Sequence, residues 1–292
     1  MKYTTLRMFC AIICVKSMLI HQLDFEHAFA FAPVDEDIYM RPHPEMRAPC
    51  GMVCNLRKSL YGLKQAHRNW NEYLNSFLEH LGFTRCMNDT CLYTRMYHDF
   101  VVLLEVFVDD VLIACQCPRV LMRVKEEFKD EFPVTDMGEV KESLGVRIRQ
   151  LDGKKVTLDQ EVYCRKILVK YGHHIGVRNY TDVPLSRDAN ILHIDPPLSK
   201  AQMQFTSTFP YAELVGALMY LSVLTRPNIA YALSILSGHK STLTFMACKS
   251  CSRVLNYLSR YPHLCMRYTR GSINLEVSPR SDIPLLQTSS GS

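Results

Sequence analysis

The stretch VFVDDVLIA, Val106 to Ala114, places two adjacent aspartates, Asp109 and Asp110, inside an otherwise apolar run. An apolar run, Asp-Asp and a second apolar run read as a β-hairpin with the acids at its tip. Unpaired carboxylates in apolar surroundings are costly, so something must compensate them. A salt bridge, solvent at an exposed turn and a metal ion are the choices. Solvated turns usually carry Asn, Gly or Ser, whereas apolar residues hem these acids on both sides. A third acid, Asp24, ends an upstream strand, HQLDF, in a similar setting.

Three carboxylates converging at strand ends form a hard-oxygen site suited to Mg²⁺, with Mn²⁺ as an alternative. Two such ions about 3.5–4 Å apart activate a hydroxyl and stabilise a leaving pyrophosphate. In a regular strand Glu105 shares a face with Asp109, about 13 Å away along the strand. That is too far for shared metal binding, so Glu105 is expected to be solvated or paired with a basic residue.

The rest of the chain reads as an α+β pattern. Leu6, Phe9, Cys10, Ile13 and Cys14 fall on one helical stripe, which predicts an amphipathic core helix starting near Thr5. Arg7 and Lys16 interrupt the apolar start, and no small-residue cleavage site marks a signal peptide. Helical spacing recurs from Ala66 to Leu81 and from Pro118 to Phe132. CLYTRMY and FVVLLEVF precede the aspartates as strands. Asp152-Gly153 supplies the turn of a second hairpin, followed by a helix from Glu161 to Tyr171. Three helical segments, 211–222, 227–239 and 245–260, lie further on. No stretch is long and apolar enough to span a membrane.

Composition decides less. At 292 residues there is room for two domains. The net charge of +5 is compatible with nucleic-acid binding without demanding it. The twelve cysteines have irregular spacings, and Cys248-Lys-Ser-Cys251 is a CxxC without a second pair. Reduced, partly buried thiols are expected rather than a zinc site or a disulfide framework.

Taken in order, these blocks resemble the reverse transcriptase of copia-type retrotransposon polyproteins, from about Thr4 to about Gly271. HQLDFEHAF is similar to the family's first aspartate motif, NLRKSLYGLKQAHRNW to its LYGLKQAPRxW block, and VFVDDVLIA to its YVDD box. TDMGEVKESLGVRI and TRPNIAYALSILS are similar to downstream blocks. The resemblance implies a right-hand polymerase palm, an antiparallel sheet with flanking helices, followed by a mostly helical thumb and connection region. It implies that Asp24, Asp109 and Asp110 bind the metal ions of an RNA-directed DNA polymerase. It places Phe29 under the incoming sugar, as the aromatic that excludes a 2′-hydroxyl, and Gln65 beside template and nucleotide. A core role for Phe29 and a helix-start cap for Gln65 are the plain alternatives.

Lys64 and Arg68 are implied phosphate contacts, with surface solvation the alternative, and Lys141 falls near a motif with a triphosphate-binding lysine. Arg165, Lys166 and Lys170 lie on the helix matching the thumb and suit a duplex backbone. The implied partners are a primed RNA or DNA template and deoxynucleoside triphosphates, with no membrane, in the cytoplasm or nucleus rather than secreted.

The resulting division is partial fingers and palm over 1–150, hairpin and thumb helix over 151–178, and linker over 179–208. A helical connection region follows over 209–262, then a truncated, disordered RNase H remnant over 263–292. The family's fingers strands normally precede the first helix and nothing precedes Met1. His67 replaces the proline of KQAPR, and Asp282 is the one acid left to match an RNase H site. Impaired or absent polymerisation is therefore expected. The alternative function is a non-catalytic nucleic-acid-binding remnant, and the competing class is an unrelated secreted, Cys-rich binding protein.

Overall fold

The computed structural model describes residues 2–151, 155–174, 181–186 and 196–270, and the backbone of 272–278. The chain forms two compact units, Met1–Val140 and Lys141–Ser292. The boundary expected at 150/151 thus falls ten residues earlier, because the chain from Glu142 onward pairs within the second sheet.

The first unit begins with α1 (Tyr3–Lys16) and β1 (Leu19–Phe25), then a short helical turn over Ala28–Phe31. A two-stranded ribbon follows, β2 (Pro33–Met40) with β3 (Cys54–Lys58), then α2 (Ala66–His80). Next come β4 (Thr84–Arg85), β5 (Leu92–Tyr97), β6 (Phe100–Phe107), β7 (Asp110–Cys115), α3 (Pro118–Glu131) and β8 (Val134–Glu139). The main sheet is antiparallel with order β4-β5-β6-β7-β1-β8. β1 sits between β7 and β8 although it precedes both in the chain, and this brings Asp24 to the aspartate hairpin.

Alternation decides what each sheet face buries. Leu23, Phe25, Leu104, Val106 and Val111 join one core with Trp70, Leu74 and Leu78 of α2 and Val124 and Phe128 of α3. The 4-residue spacing of Trp70, Leu74 and Leu78 is the amphipathic stripe of α2. Phe25 packs edge-on against Trp70 (ring centroids 5.0 Å) and Phe132 (5.2 Å). The opposite face carries Leu103, Glu105, Leu112 and Ala114, and α1 covers it with its stripe of Leu6, Phe9, Cys10, Ile13 and Cys14 buried. The N-terminus of α1 is clamped by Asp89, which accepts from the Lys2 backbone N–H (2.7 Å) and the Thr5 hydroxyl (2.6 Å). Lys125 of α3 is fully buried, with its ammonium 2.6 Å from Asp136 and 2.9 Å from His21 Nδ1.

Glu105 corrects a sequence expectation. It is neither solvated nor paired: it is 2% exposed, and neither carboxylate oxygen has a hydrogen-bond partner. Burial, then the nearby charge of Asp89, pushes its carboxyl up to about 8. The parity argument failed because Val108 and Asp109 form the loop, so Glu105 lines up with Asp110 rather than Asp109. The pairs Glu105↔Leu112 and Phe107↔Asp110 fix this.

The second unit contains β9 (Glu142–Ser143), β10 (Val146–Leu151), β11 (Lys155–Asp159), α4 (Glu161–Tyr171), α5 (Lys200–Thr208), α6 (Tyr211–Leu224), α7 (Ala230–Ser237), α8 (Phe245–Arg260), β12 (Cys265–Thr269) and β13 (Ser272–Ser278). Its antiparallel sheet has the order β13-β12-β11-β10-β9. Leu151↔Lys155 closes the expected hairpin; the turn residues Asp152 and Gly153 lie outside the described residues, as does Asp282. Ile167, Leu214, Leu218, Leu233, Val254 and Leu258 share the helical core. Arg226, in the TRPNIAYALSILS block, is buried with its guanidinium donating to the Tyr261 carbonyl at 2.9 Å.

Two expectations for this unit are corrected. The supposed linker ends in a helix, α5, because Ser199 and Gln202 form a capping box with both reciprocal hydrogen bonds. The supposed disordered tail supplies β12, which pairs with β11 and buries Met266 and Tyr268 on alternate positions, and then β13. All twelve cysteines are free thiols. Among the described residues no helix is long and apolar enough to cross a membrane.

Candidate active site

Asp24, Asp109 and Asp110 meet at one end of the first unit's sheet. Asp24 is the cross-strand neighbour of Asp110, and the Phe25 N–H donates to the Asp109 carbonyl at 2.8 Å. The two-residue loop has Val108 at φ +55°. The left-handed region is unusual for a β-branched residue and costs on the order of 1 kcal/mol or more. The indole N–H of Trp70 holds the loop there by donating to the Val108 carbonyl at 2.6 Å. The tip is therefore tied on one side to β1 and on the other to α2, the helix that opens within the LYGLKQA block.

The carboxylates differ in surroundings. Asp24 is exposed, and burial of part of the group, then the charges of Asp109 and Glu26, raises its pKa. Asp110 is half-buried and accepts from the Gln22 amide at 2.9 Å. Among the described residues no three His, Cys, Asp or Glu side chains are drawn together as a ready-made metal cage. The donor set still suits a hard divalent cation: every donor is a carboxylate oxygen, and a bound cation relieves the repulsion from Asp109 that adds to burial at Asp24.

Beside the carboxylates stands a cluster of rings. Phe29, in the helical turn after β1, is 3% exposed, with Tyr61 at 4.5 Å and His67 at 4.6 Å, both edge-on. Tyr61 is 60% exposed. Burial, then the charges of Asp109 and Asp24, raises the pKa of its phenol, so it lies within the field of two of the acids. Gln65 is the residue before the first turn of α2, and its side chain makes no capping hydrogen bond. Lys64 is exposed. Arg68 is engaged at home, with ion pairs to Asp35 (2.5 Å) and Glu72 (3.5 Å).

The remaining expected nucleic-acid contacts belong to the second unit. Arg165 donates to Glu161 on its own helix at 2.7 Å, and Lys170 is 2.5 Å from Glu213. Lys166 lines a cavity of about 420 Å³ with Arg147, Glu142 and Tyr220. Lys141 is exposed at the start of that unit. Sequence reading missed Trp70, Gln22 and Tyr61 as parts of the site. Tyr61 had a signal, since it stands inside LYGLKQA, but only the fold brings it against Phe29.

Three strand-end aspartates, a tight Asp-Asp hairpin and a ring cluster beside an adjoining helix start make up the candidate site. The chain belongs to the reverse transcriptase (RNA-dependent DNA polymerase) family, whose profile matches residues 1–184. Its relatives are copia-type retrotransposon proteins. It is 32% identical over 253 residues to a transposon Ty5-1 protein of Saccharomyces cerevisiae, covering 86% of this chain and 79% of that one. It is 32% identical over 244 residues to the retrovirus-related Pol polyprotein from transposon TNT 1-94 of Nicotiana tabacum. It is 30% identical over 274 residues to that from transposon RE1 of Arabidopsis thaliana. These two alignments cover 81% and 90% of this chain but 18% and 17% of the polyproteins, so the chain spans less than a fifth of their length.

Proposed function

We propose that this chain carries the palm of an RNA-directed DNA polymerase and extends a primer on an RNA or DNA template by two-metal nucleotidyl transfer. One observation carries the reading: two segments some 85 residues apart in the chain put Asp24 beside Asp110 and hydrogen-bond the backbone of Asp109 to that of Phe25. In this reading the first unit is palm with part of the fingers, and the second supplies thumb and connection.

Asp24, Asp109 and Asp110 would hold Mg²⁺, or Mn²⁺ in its place. A bound divalent cation supplies Lewis-acid stabilisation of the phosphoryl oxygens and lowers the pKa of the attacking hydroxyl. The protein's own contribution is placement. Trp70 and the Phe25 amide fix the backbone of the loop, so only side-chain rotation is left for the carboxylates to complete when cations and substrate arrive. In the transfer, the bond from the primer 3′-oxygen to the α-phosphorus forms as the α–β bridging bond breaks, and pyrophosphate leaves. Exposed Lys64 and Lys166 suit backbone phosphates, whereas Arg68, Arg165 and Lys170 must exchange their present carboxylate partners to do so.

The test is primer extension on poly(rA)/oligo(dT) with Mg²⁺ or Mn²⁺, against the Asp109→Asn/Asp110→Asn variant. Extension abolished in the variant supports the reading. A folded wild-type chain that extends no primer overturns it in favour of a nucleic-acid-binding remnant.

A further inference from the structure

The two-stranded ribbon of the first unit carries an inference that is independent of the polymerase reading. β2 has β3 on one side and no strand on the other, so one edge of β2 offers backbone groups that no strand of the chain satisfies. The strand is in regular register with β3 only where Ile38 faces Leu56, Tyr39 faces Asn55 and Met40 faces Cys54. Charges on an edge usually repel a second strand. Here their order matters, because acids (Asp35, Glu36, Asp37) precede Tyr39 and a base, Arg41, follows it. A parallel copy of this edge would set acid on acid. An antiparallel copy sets acid on base. Asp35 is already held by Arg68, whereas the side chains of Asp37 and Arg41 are exposed and make no hydrogen bond or ion pair among the described residues. Tyr39 shares their face of the strand and is 59% exposed. Met40, and Met52 and Val53 leading into β3, are exposed as well. Apolar side chains gathered in water on one ribbon mark a contact surface.

We propose that the free edge of β2 pairs antiparallel with the same edge of a second copy of this chain, about a two-fold axis at Tyr39. Asp37 of each copy then stands opposite Arg41 of the other, with the two Tyr39 rings between these pairs on the same face. On the opposite face Ile38 of each copy meets Met40 of the other. Pro42 ends the ladder, since it has no N–H to give. So short a ladder makes a weak, reversible dimer.

Sedimentation velocity of the full chain across the micromolar range tests this. Wild type should pass from monomer to dimer as its concentration rises. Arg41→Asp and Asp37→Arg each set like charges opposite one another in both pairs, and each should raise the dimer Kd by at least about tenfold. The double variant Asp37→Arg/Arg41→Asp exchanges the signs within both pairs and should return the Kd to within about threefold of wild type. Both positions are exposed and unbonded, so the variants should fold as wild type does, which circular dichroism checks. A wild type that stays monomeric throughout overturns the proposal. So does a dimer that neither single substitution weakens, or one that both weaken and the double substitution fails to restore.

Discussion

Replacing Glu105 by leucine should make this protein more stable, and increasingly so as pH rises. The carboxyl is 2% exposed on the α1 face of the sheet, neither oxygen has a hydrogen-bond partner, and burial pushes its pKa from 4.5 up to about 8. Below about pH 4.5 the group is protonated both folded and unfolded, and it contributes no pH-dependent cost. Between there and about pH 8 the unfolded chain ionises while the native one does not, so stability falls by about 1.4 kcal/mol per pH unit. The accumulated loss is about 3 kcal/mol at pH 7 and approaches 5 kcal/mol above pH 8. A further ~1–3 kcal/mol comes from burying a polar group whose hydrogen bonds are unmade. Glu105→Leu removes both costs. Glu105→Gln removes the first and keeps the second. Urea unfolding followed by the fluorescence of Trp70, the one tryptophan of the chain, reads the unit in question. At pH 8.5 the Leu variant should gain at least about 3 kcal/mol, and at pH 5 much less. Equal unfolding midpoints for wild type and Glu105→Leu at both pH values would refute the reasoning.

Other perturbations follow from the same contacts. Trp70→Phe keeps the ring but deletes the hydrogen bond to the Val108 carbonyl. A loss of about 1–3 kcal/mol in urea unfolding followed by circular dichroism is expected, with primer extension falling further than stability does. Lys125→Ala removes the buried partner of His21 and one of two lysines at Asp136, which keeps Lys129 and the Gly138 N–H, and should cost about 1–3 kcal/mol in the same unfolding measurement. Burial pushes the Asp89 carboxyl up, but hydrogen bonds from Thr5 and the backbone N–H groups of Lys2 and Cys91 outweigh this and hold it below its usual range. Its stabilisation is therefore present above about pH 4 and lost as pH falls further. Asp89→Asn should cost about 1–2 kcal/mol at pH 7, and the gap to wild type should close in acid unfolding.

Much of the architecture was legible because it is written locally. The α1 stripe, the Glu161–Tyr171 and Phe245–Arg260 helices and the aspartate hairpin each announce themselves within a few turns or residues. That the three aspartates come to one end of one sheet was likewise legible, from their apolar settings and from the motif order. What stayed hidden depends on contacts distant in sequence or on small capping signals. Glu105 could be placed only once the loop residues were known, since a two-residue loop decides which acid shares its face. Cys265–Thr269 is too short to declare itself, and becomes a strand because β11 offers it a free edge. Helix α5 hung on the Ser199–Gln202 pair inside a segment that otherwise reads as polar linker. Tyr61 sits in a recognisable block, but its support, Phe29, comes from a segment some 30 residues earlier.

The β1–β7 register has a consequence for how such a site ages. Leu23 pairs with Val111 in the same ladder that pairs Asp24 with Asp110. Slipping β1 by one residue would turn Leu23 and Phe25 out of the core and the acids away from each other. The core thus polices the alignment of the carboxylates without regard to what they do. A lineage that has ceased to copy nucleic acid keeps the scaffold for as long as it needs a folded protein. Under the proposed function, only the identities of the three aspartates are left for selection on chemistry to guard.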